Sequence, residues 1–443
     1  MRSTREQRAW YWYDWANSAF YTTTATVLIG PYLVSLATNA ACPDGTGECT
    51  RSVVLLGLIP VLPGALPSLL ATISTLVSAV VLLFVGAAAD RSAHPHRWLG
   101  VTAWIGALAG SLMFFLMGSN WELGAWLMVI SLIAFGASIV VYDSMLVRIA
   151  GPDDRDRVSS RGWAWGYVGG GLLLALNFGL LSLYPALGID KAMAVRISLL
   201  SAGLWWAGFT LSPVLGLRGL PRDVPAEVAG RNPFRQLAAT FAEMRHYPQT
   251  LAFLLAFLFY NDGIQTVIVS ASLYADRELH IDQNLILATF LLTQFVAILG
   301  ALGFGRLAGR IGAKRTVMMG LGIWLVVVLV GFLIPSGVVG ALFGLGAAIG
   351  LVMGGTQALS RSMYSQLIPR GRESEYFSFY QAMERGTSWL GTLAFGLMFQ
   401  FTQSYRLALL ALVAFFLLGG ALLARVDMRK GIIDAGNVLP KVL

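Results

Sequence analysis

Charged residues are scarce in this 443-residue chain. The 31 Lys and Arg and the 23 Asp and Glu make up 12% of it, about half of the roughly 25% usual in soluble domains. Hydrophobic residues make up 56%, and the mean hydropathy is +0.69. A water-soluble protein could not bury so much apolar surface, which excludes a soluble enzyme, a nucleic-acid-binding protein and a disordered scaffold. The composition predicts a polytopic membrane protein.

Histidine and cysteine are also rare. The four His are scattered, so we expect no metal site and no cofactor. HExxH and GxSxG motifs are absent, and the Gly-rich runs 166–171 and 344–355 lack the Lys-Ser/Thr of a phosphate-binding loop. These absences disfavour a membrane-embedded enzyme. The two cysteines, Cys42 and Cys49, enclose Pro and Gly in an outward-facing loop, where a small disulfide is expected. Two free thiols are the alternative.

Apolar stretches of about 20 residues recur twelve times, each long enough to cross the bilayer as a helix. The sequence therefore predicts an all-α membrane protein with twelve transmembrane helices, here called spans 1 to 12. Their predicted limits are 10–37, 67–89, 99–118, 122–147, 162–184, 192–217, 249–275, 284–305, 316–335, 338–368, 376–402 and 405–425.

The basic residues predict the orientation. If twelve spans place both termini on one side, 25 of the 31 Lys and Arg lie on that side, five lie on the other, and Arg385 lies inside a span. The positive-inside rule then puts both termini in the cytoplasm. The net charge of +8 is distributed over these short loops, so no nucleic-acid partner is expected. Since 27 of the basic residues are Arg in an Ala/Gly/Leu-rich chain, a bacterial inner membrane is the expected location.

The chain divides into two halves that resemble each other. Residues 1–217 form the first six-helix bundle, including the outward loop 38–66. A cytoplasmic linker at 218–248 precedes the second bundle at 249–426 and a tail at 427–443. Asp14-x-x-Asn17-Ser18 in span 1 corresponds to Asp262-x-x-Gln265-Thr266 in span 7. Gly86 and Arg91 after span 2 likewise match Gly305 and Arg310 after span 8. This order indicates a duplicated six-helix unit, a common plan among secondary transporters.

The motifs carry a family resemblance. The loops after spans 2 and 8 resemble the cytoplasmic loop signature of the major facilitator superfamily, except that Gly309 stands where Asp is usual. YDWANSAF (13–20), VSSRGWAWGYVGGG (158–171), YNDGIQTVI (260–268) and GGTQALSRSMYSQLIP (354–369) resemble its vacuole-effluxer branch. That branch includes fungal autophagy-related amino-acid effluxers and bacterial "unknown major facilitators". The resemblance implies two pseudo-symmetric six-helix bundles and a transport function.

Asp262 is the first candidate for binding substrate or a proton. It lies about 12 residues into span 7, roughly 18 Å deep and near the midplane. A carboxylate at this depth is costly and needs a reason. We expect Asp262 to line the central cavity together with Asn261, Gln265 and Thr266. The alternative is a structural carboxylate that is satisfied by its helix neighbours.

Asp14 is the counterpart of Asp262, and its depth is ambiguous. With Asn17 and Tyr21 it presents one helix face for binding or gating. The surrounding Trp and Tyr residues also fit an interfacial aromatic belt, in which Asp14 would play no part in transport. Gln357, in the motif 354–369, is a further candidate binding residue.

Glu384 and Arg385 enter span 11 at about 14 Å depth. They form either part of the binding site or a structural ion pair across the bundle, for which Asp143 and Arg361 are the candidate partners. The resemblance implies a conformational latch at the cytoplasmic face, to which we assign Asp90, Arg91 and Arg148 together with Asp143 and Arg361. Ordinary positive-inside charge is the alternative for Asp90, Arg91 and Arg148.

The sequence thus predicts a secondary transporter that works by alternating access on a small solute, with amino acids as the first guess and H⁺ as the favoured coupling ion. It would act as a monomer in the bilayer. A drug or metabolite exporter, a channel and a membrane-embedded sensor or regulatory protein are the rival interpretations.

The predicted orientation can be tested with alkaline phosphatase fusions, which are active only outside the cytoplasm. We expect an active fusion after Gly47, in the outward loop, and an inactive one after Val442. The opposite activities would show that the loop assignment is inverted.

Overall fold

The computed structural model describes residues 3–43, 51–55, 57–220, 240, 242–386 and 389–443. Over these residues the fold is helical, and eleven helices are long and apolar enough to cross a membrane. In the predicted span 11, the structure describes the helical segments Glu373–Gly386 and Trp389–Thr402, of 14 residues each. Residues 387 and 388 between them lie outside the described part of the chain. The all-α membrane fold predicted from the sequence is confirmed.

The other spans start and end within seven residues of the predicted limits, with the largest shifts at the start of span 5 and the ends of spans 3 and 8. Span 1 consists of Arg5–Phe20, the π-helix Tyr21–Leu28 and Ile29–Ala41. The following spans of the first half are Leu66–Arg91, Pro95–Leu112, Trp121–Ser144, Arg155–Leu183 and Lys191–Gly216. Those of the second half are Pro248–Arg277, Gln283–Ile311, Ala313–Leu333, Val339–Gln366, the pair in span 11, and Tyr405–Leu410 with Leu412–Arg425.

Short elements join the spans. In the loop before span 2, strands β1 (Val53–Leu55) and β2 (Ile59–Val61) pair antiparallel, and the sequence analysis did not predict this hairpin. Single turns lie at Pro63–Ala65, Met113–Phe115, Leu146–Ile149 and Pro152–Asp154, and the helix Met428–Asp434 lies in the predicted tail. Most of the predicted linker 218–248 lies outside the described residues.

Local sequence explains several helix starts. The side chain of Thr4 accepts a hydrogen bond from the backbone of Gln7, whose side chain in turn accepts one from the backbone of Thr4. This capping box satisfies two of the N–H groups that a helix start leaves free. Asp190 caps span 6 in the same position. Proline opens spans 3 and 7, where its missing N–H costs nothing.

Cys42 forms the C-terminal cap of Ile29–Ala41, its backbone N–H bonding to the carbonyl of Thr38. Cys49 lies outside the described residues, so the expected disulfide stays a prediction.

Both chain termini lie at the same end of the molecule. Near the N-terminus, Ser3 accepts a hydrogen bond from Arg161 at 3.0 Å. Near the C-terminus, the backbone N–H of Lys441 donates to Asp153 at 2.7 Å. Because Asp153 and Arg161 flank the start of span 5, we call this the terminal end and the opposite end the far end.

Spans 8 and 10 pack with their backbones almost in contact. A Cβ atom added at Gly300 would lie 2.1 Å from the carbonyl oxygen of Leu351, so a side chain there has no room. Gly350 and Gly354 make similar approaches to the carbonyls of Thr293 and Ala297 from the other helix. Small residues allow this close packing, which is a main source of helix association inside a bilayer.

Gly300→Ala should therefore destabilise the second half, since the added methyl group would force spans 8 and 10 apart. Overpacking of this kind costs about 1–3 kcal/mol. We expect a lower melting temperature for the detergent-solubilised protein. Gly303→Ala is the matched control, because a Cβ atom there meets nothing within 4 Å. Equal melting temperatures for the two variants would contradict the packing argument.

Candidate functional site

A cavity of about 500 Å³ lies between the two halves and is lined by both. We call it the central cavity. Its lining includes Tyr274, Ile286 and Leu342, each three residues from the far end of its helix. The cavity therefore reaches the far end of the molecule. Towards the terminal end its lining includes Asp14, Asp143, Arg361, Gln381, Glu384 and Arg385.

Hydrogen bonds between the halves close the terminal end. Arg155, at the start of span 5, donates to the backbone carbonyl of Ser365 at 2.8 Å. The hydroxyl of Ser362 donates to the carboxylate of Asp156 at 2.6 Å. These contacts join the start of span 5 to the end of span 10. The structure is thus closed at the terminal end, while the cavity extends to the far end.

Arg361 of span 10 is the centre of a buried ion cluster that joins the halves. Its guanidinium donates to Asp143 of span 4 at 3.1 Å and to Asp14 of span 1 at 3.4 Å. It also donates to the hydroxyl of Ser159 on span 5 at 2.9 Å. The hydroxyl of Tyr142 donates to the same Asp14 oxygen at 2.6 Å. Only 4% of Arg361 is exposed. We call these five residues the Arg361 cluster.

Aromatic rings surround the Arg361 cluster. The guanidinium carbon lies 4.7 Å from the ring centre of Trp10 and 5.5 Å from those of Tyr142 and Trp163. The planar guanidinium can stack on rings while its N–H groups bind carboxylates, which a lysine could not do as well. Asp14 lies inside the bundle in this environment. Trp12 and Trp15 on the same helix are half-exposed.

Gln381 links the Arg361 cluster to Glu384 and Arg385. Its amide nitrogen donates to Asp143 at 3.1 Å and to Glu384 at 2.9 Å, and its oxygen accepts from Arg385 at 3.3 Å. Arg385 also lies 4.7 Å above the ring of Phe135 in the first half. Glu384 and Arg385 therefore line the cavity and belong to a hydrogen-bond network. In this network, Gln381 connects both residues to Asp143.

Asp90 contacts the other half through two backbone N–H groups. Its two carboxylate oxygens accept the backbone N–H groups of Ser374 and Glu375 at 3.0 and 2.8 Å. These N–H groups belong to the first turn of Glu373–Gly386, where free donors and the helix dipole favour an anion. Arg91 bonds to a carbonyl of its own helix, and Arg148 lies in the short helix Leu146–Ile149.

Further predicted residues line the central cavity. Asn17 and Tyr21 do so from span 1, and Tyr21 stacks on Phe135 with ring centres 4.9 Å apart. Gln357 lines it from span 10 and accepts a hydrogen bond from Tyr167 at 3.3 Å.

On span 7, two of the four predicted residues line the cavity and the other two face span 11. Asn261 and Gln265 line the cavity, as predicted. Asp262 and Thr266 instead lie against Gly391 of span 11: the backbone N–H of Gly391 donates to Asp262 at 2.7 Å, and a Cβ atom at Gly391 would lie 2.3 Å from the Thr266 hydroxyl. Successive helix residues point about 100° apart, so one position separates the two faces. The expected place of Asp262 and Thr266 in the cavity is corrected accordingly.

The sequence analysis did not single out several residues of the site. Gln381, Ser159 and Tyr142 complete the network, and Trp10 and Trp163 enclose it. The sequence contained one indication for Gln381, which lies one turn before Glu384 on the same helix face. The contacts of Ser159 and Tyr142 cross between spans and leave no local pattern.

Comparisons with known proteins agree with this architecture. The family model described as "Vacuole effluxer Atg22 like" matches residues 2–436. An uncharacterized MFS-type transporter of Bacillus subtilis is 27% identical over 96% of this chain and 95% of its own length. Autophagy-related protein 22-1 of Phaeosphaeria nodorum is 24% identical over 98% of this chain and 92% of its own.

Solved structures share the fold at low sequence identity. A bacterial homologue of the iron transporter ferroportin, in an outward-facing state, has a TM-score of 0.69 and 15% identity, over 95% of this chain and 99% of that one. The proton:xylose symporter XylE has a TM-score of 0.68 and 12% identity, over 96% of this chain and 94% of that one. The resemblance noted in the sequence is confirmed: the chain is a multi-pass membrane protein with the major facilitator fold and belongs to the Atg22-like vacuole effluxer family.

Proposed function

We propose that this protein is a secondary active transporter that moves small zwitterionic solutes, amino acids first among them, by alternating access driven by a proton gradient. The observation that carries the proposal is the charged end of the central cavity, towards the terminal end of the molecule. We call this end the floor; it is lined by Asp14, Asp143, Arg361, Gln381, Glu384 and Arg385. There, carboxylates and guanidinium groups from both halves meet inside the bilayer. Buried charges in membrane proteins are costly and usually mark a transport pathway.

The charged groups at the floor are suited to a zwitterion. Arg385 can bind a carboxylate in a bidentate manner, and Glu384, the adjacent residue, can accept hydrogen bonds from an ammonium group. Gln381 already bridges the two side chains and could move to either partner as solute binds. A cavity of about 500 Å³ falls in the usual range for small-molecule sites.

The balance of charged groups in the cavity supports a second candidate function. Asp14, Asp143 and Glu384 face Arg361 and Arg385, so carboxylates exceed guanidinium groups by one. A bound organic cation would balance that excess, as would a proton. Export of a cationic drug or metabolite is therefore the alternative function.

Alternating access requires the contacts of the terminal end to break while the far end closes. If the termini are cytoplasmic, as the basic residues predict, the structure is an outward-facing state of a transporter in the bacterial inner membrane. The Arg361 cluster and the Asp90 contacts then form the cytoplasmic latch. A monomer is sufficient for this cycle, because the site lies between halves of one chain.

The first experiment is a thermal-shift screen of the purified protein against amino acids, dipeptides, sugars and organic cations, followed by uptake of the stabilising class into proteoliposomes. A solute present at 100 times its Kd stabilises the folded state by about 2.7 kcal/mol. Accumulation of amino acids along an imposed proton gradient is the expected result. Accumulation of organic cations alone would favour the exporter, and binding without accumulation would favour a sensory role.

Glu384→Gln and Arg385→Gln should abolish stabilisation by the solute, because each removes one of the two charges proposed to bind it. Glu122→Gln and Arg277→Gln are the matched controls, since both residues are exposed at helix ends. Their thermal shifts should equal that of the unmodified protein. Full retention of the shift in the Glu384 and Arg385 variants would exclude this part of the site.

Arg361→Gln should open the terminal end, since it leaves Asp14 and Asp143 without their shared cation. Removing one partner of a buried ion pair typically costs about 3–5 kcal/mol, which the closed state would lose. We expect faster labelling of a reporter cysteine at Ser362, introduced after both native cysteines are replaced by Ser. Arg370→Gln is the control, because Arg370 lies exposed beyond the end of span 10. Equal labelling rates in the two variants would show that Arg361 is no latch.

A further inference from the structure

Asp262 occupies a buried site of its own between spans 7 and 11. One carboxylate oxygen accepts the backbone N–H of Gly391, in the first turn of Trp389–Thr402. The other has no hydrogen-bond partner among the described residues, and neither does the hydroxyl of Thr266, one turn along span 7. Asp262 is 1% exposed and Thr266 is fully buried. Two unsatisfied polar groups of span 7 therefore lie beside Gly391.

Apolar side chains pack beside Asp262. Span 12 packs Phe415 and Phe416 against the adjacent Gly263. The titratable neighbour on span 7 is Tyr260, whose hydroxyl is hydrogen-bonded to Ser360 of span 10 at 2.7 Å. Within the described chain, no Lys or Arg forms a salt bridge with Asp262.

Other charged groups on the packed helices are engaged elsewhere. On span 10, Arg361 binds Asp14 and Asp143. On span 11, Glu384 and Arg385 line the central cavity. An ionised Asp262 is thus compensated mainly by a single backbone N–H, which is little for a charge inside a bilayer. A proton bound to the unsatisfied oxygen of Asp262 would remove that charge.

We propose that Asp262 binds the coupling proton at a site outside the central cavity, between spans 7 and 11. The coupling role rests on the transport function proposed above. The site itself rests on the buried, unsatisfied carboxylate oxygen and on the lack of a salt bridge to Asp262 within the described chain. Asn261 and Gln265, on the neighbouring face of span 7, line the cavity. The proton site therefore lies directly behind the cavity wall.

This location gives the proton a mechanical effect. An ionised carboxylate binds the Gly391 N–H more strongly than a neutral one does, since charge-assisted hydrogen bonds are roughly twice as strong. Proton binding would loosen the start of Trp389–Thr402 from span 7. The preceding helix of span 11 carries Gln381, Glu384 and Arg385 into the cavity. Protonation of Asp262 would thereby change the freedom of the helix that holds the proposed solute site.

Infrared difference spectroscopy tests the site without a solute. The purified protein is titrated with acid and base in sodium-free buffer, and the carbonyl band of protonated carboxyl groups is recorded. We expect Asp262→Asn to remove one component of this band, whereas Asp276→Asn, at an exposed position on the same span, should leave that component in place. An identical band in the Asp262 variant would overturn the proposal. Loss of the component on adding Na⁺ at constant pH would assign a sodium site and overturn it too.

If Asp262→Asn does not yield folded protein, Thr266→Val provides the second test. It removes the hydroxyl beside Gly391 but keeps the shape, so the titration midpoint of the same band should shift. An unchanged midpoint would show that the carboxyl group is not at this site.

Transport assays distinguish a failure of the proposed proton site from a failure of the proposed function. In proteoliposomes, Asp262→Asn should abolish accumulation of amino acid driven by a pH gradient but preserve solute exchange at equal pH, because the cavity is intact. Loss of both activities in a folded variant would contradict a separate proton site. If the unmodified protein transports no solute, the proposed function fails, while the infrared titration still decides whether Asp262 binds a proton.

Discussion

The guanidinium of Arg361, shared between Asp14 and Asp143, is the interaction on which the closed end of the structure depends. It brings spans 1, 4 and 10 to one buried point among the helices. Each of these charges would be very costly there without the others. The ring of Trp10 and the hydroxyl of Ser159 hold the guanidinium plane in place. Because the partners come from different halves, the cluster stabilises one arrangement of the two halves over others.

The two halves share a plan but use their carboxylates differently. Asp14 and Asp262 are the counterparts that comparison of the two halves of the sequence predicts. Asp14 binds a cation from the opposite half, whereas Asp262 binds a backbone N–H within its own half. The departure from symmetry gives a transporter two kinds of buried carboxylate. One kind is paired across the two halves, and the other is bound to span 11.

The central cavity extends from Asp14, Asp143 and Arg361 to the far end. Its floor is charged, while much of its wall is apolar, as expected for a site that orients a small solute by a few polar contacts. The bonds of Asp90 to the start of Glu373–Gly386 close the terminal end beside the same helix that carries Glu384. Movement of span 11 would therefore act on the latch and on the floor together.

The sequence by itself determined the membrane fold, the approximate spans, the family and most of the buried charged residues. These properties depend on composition and local spacing, because the bilayer sets the helix length and penalises each charge. It did not determine which way each residue faces. Asp262 was expected in the cavity but faces span 11, since one helical position turns a side chain by about 100°. Gln381 was missed because its contact with Asp143 spans 238 positions of the chain. Such partners are brought together only when the two halves pack, because a buried charge interacts with the groups that lie near it in space and not with its neighbours along the chain.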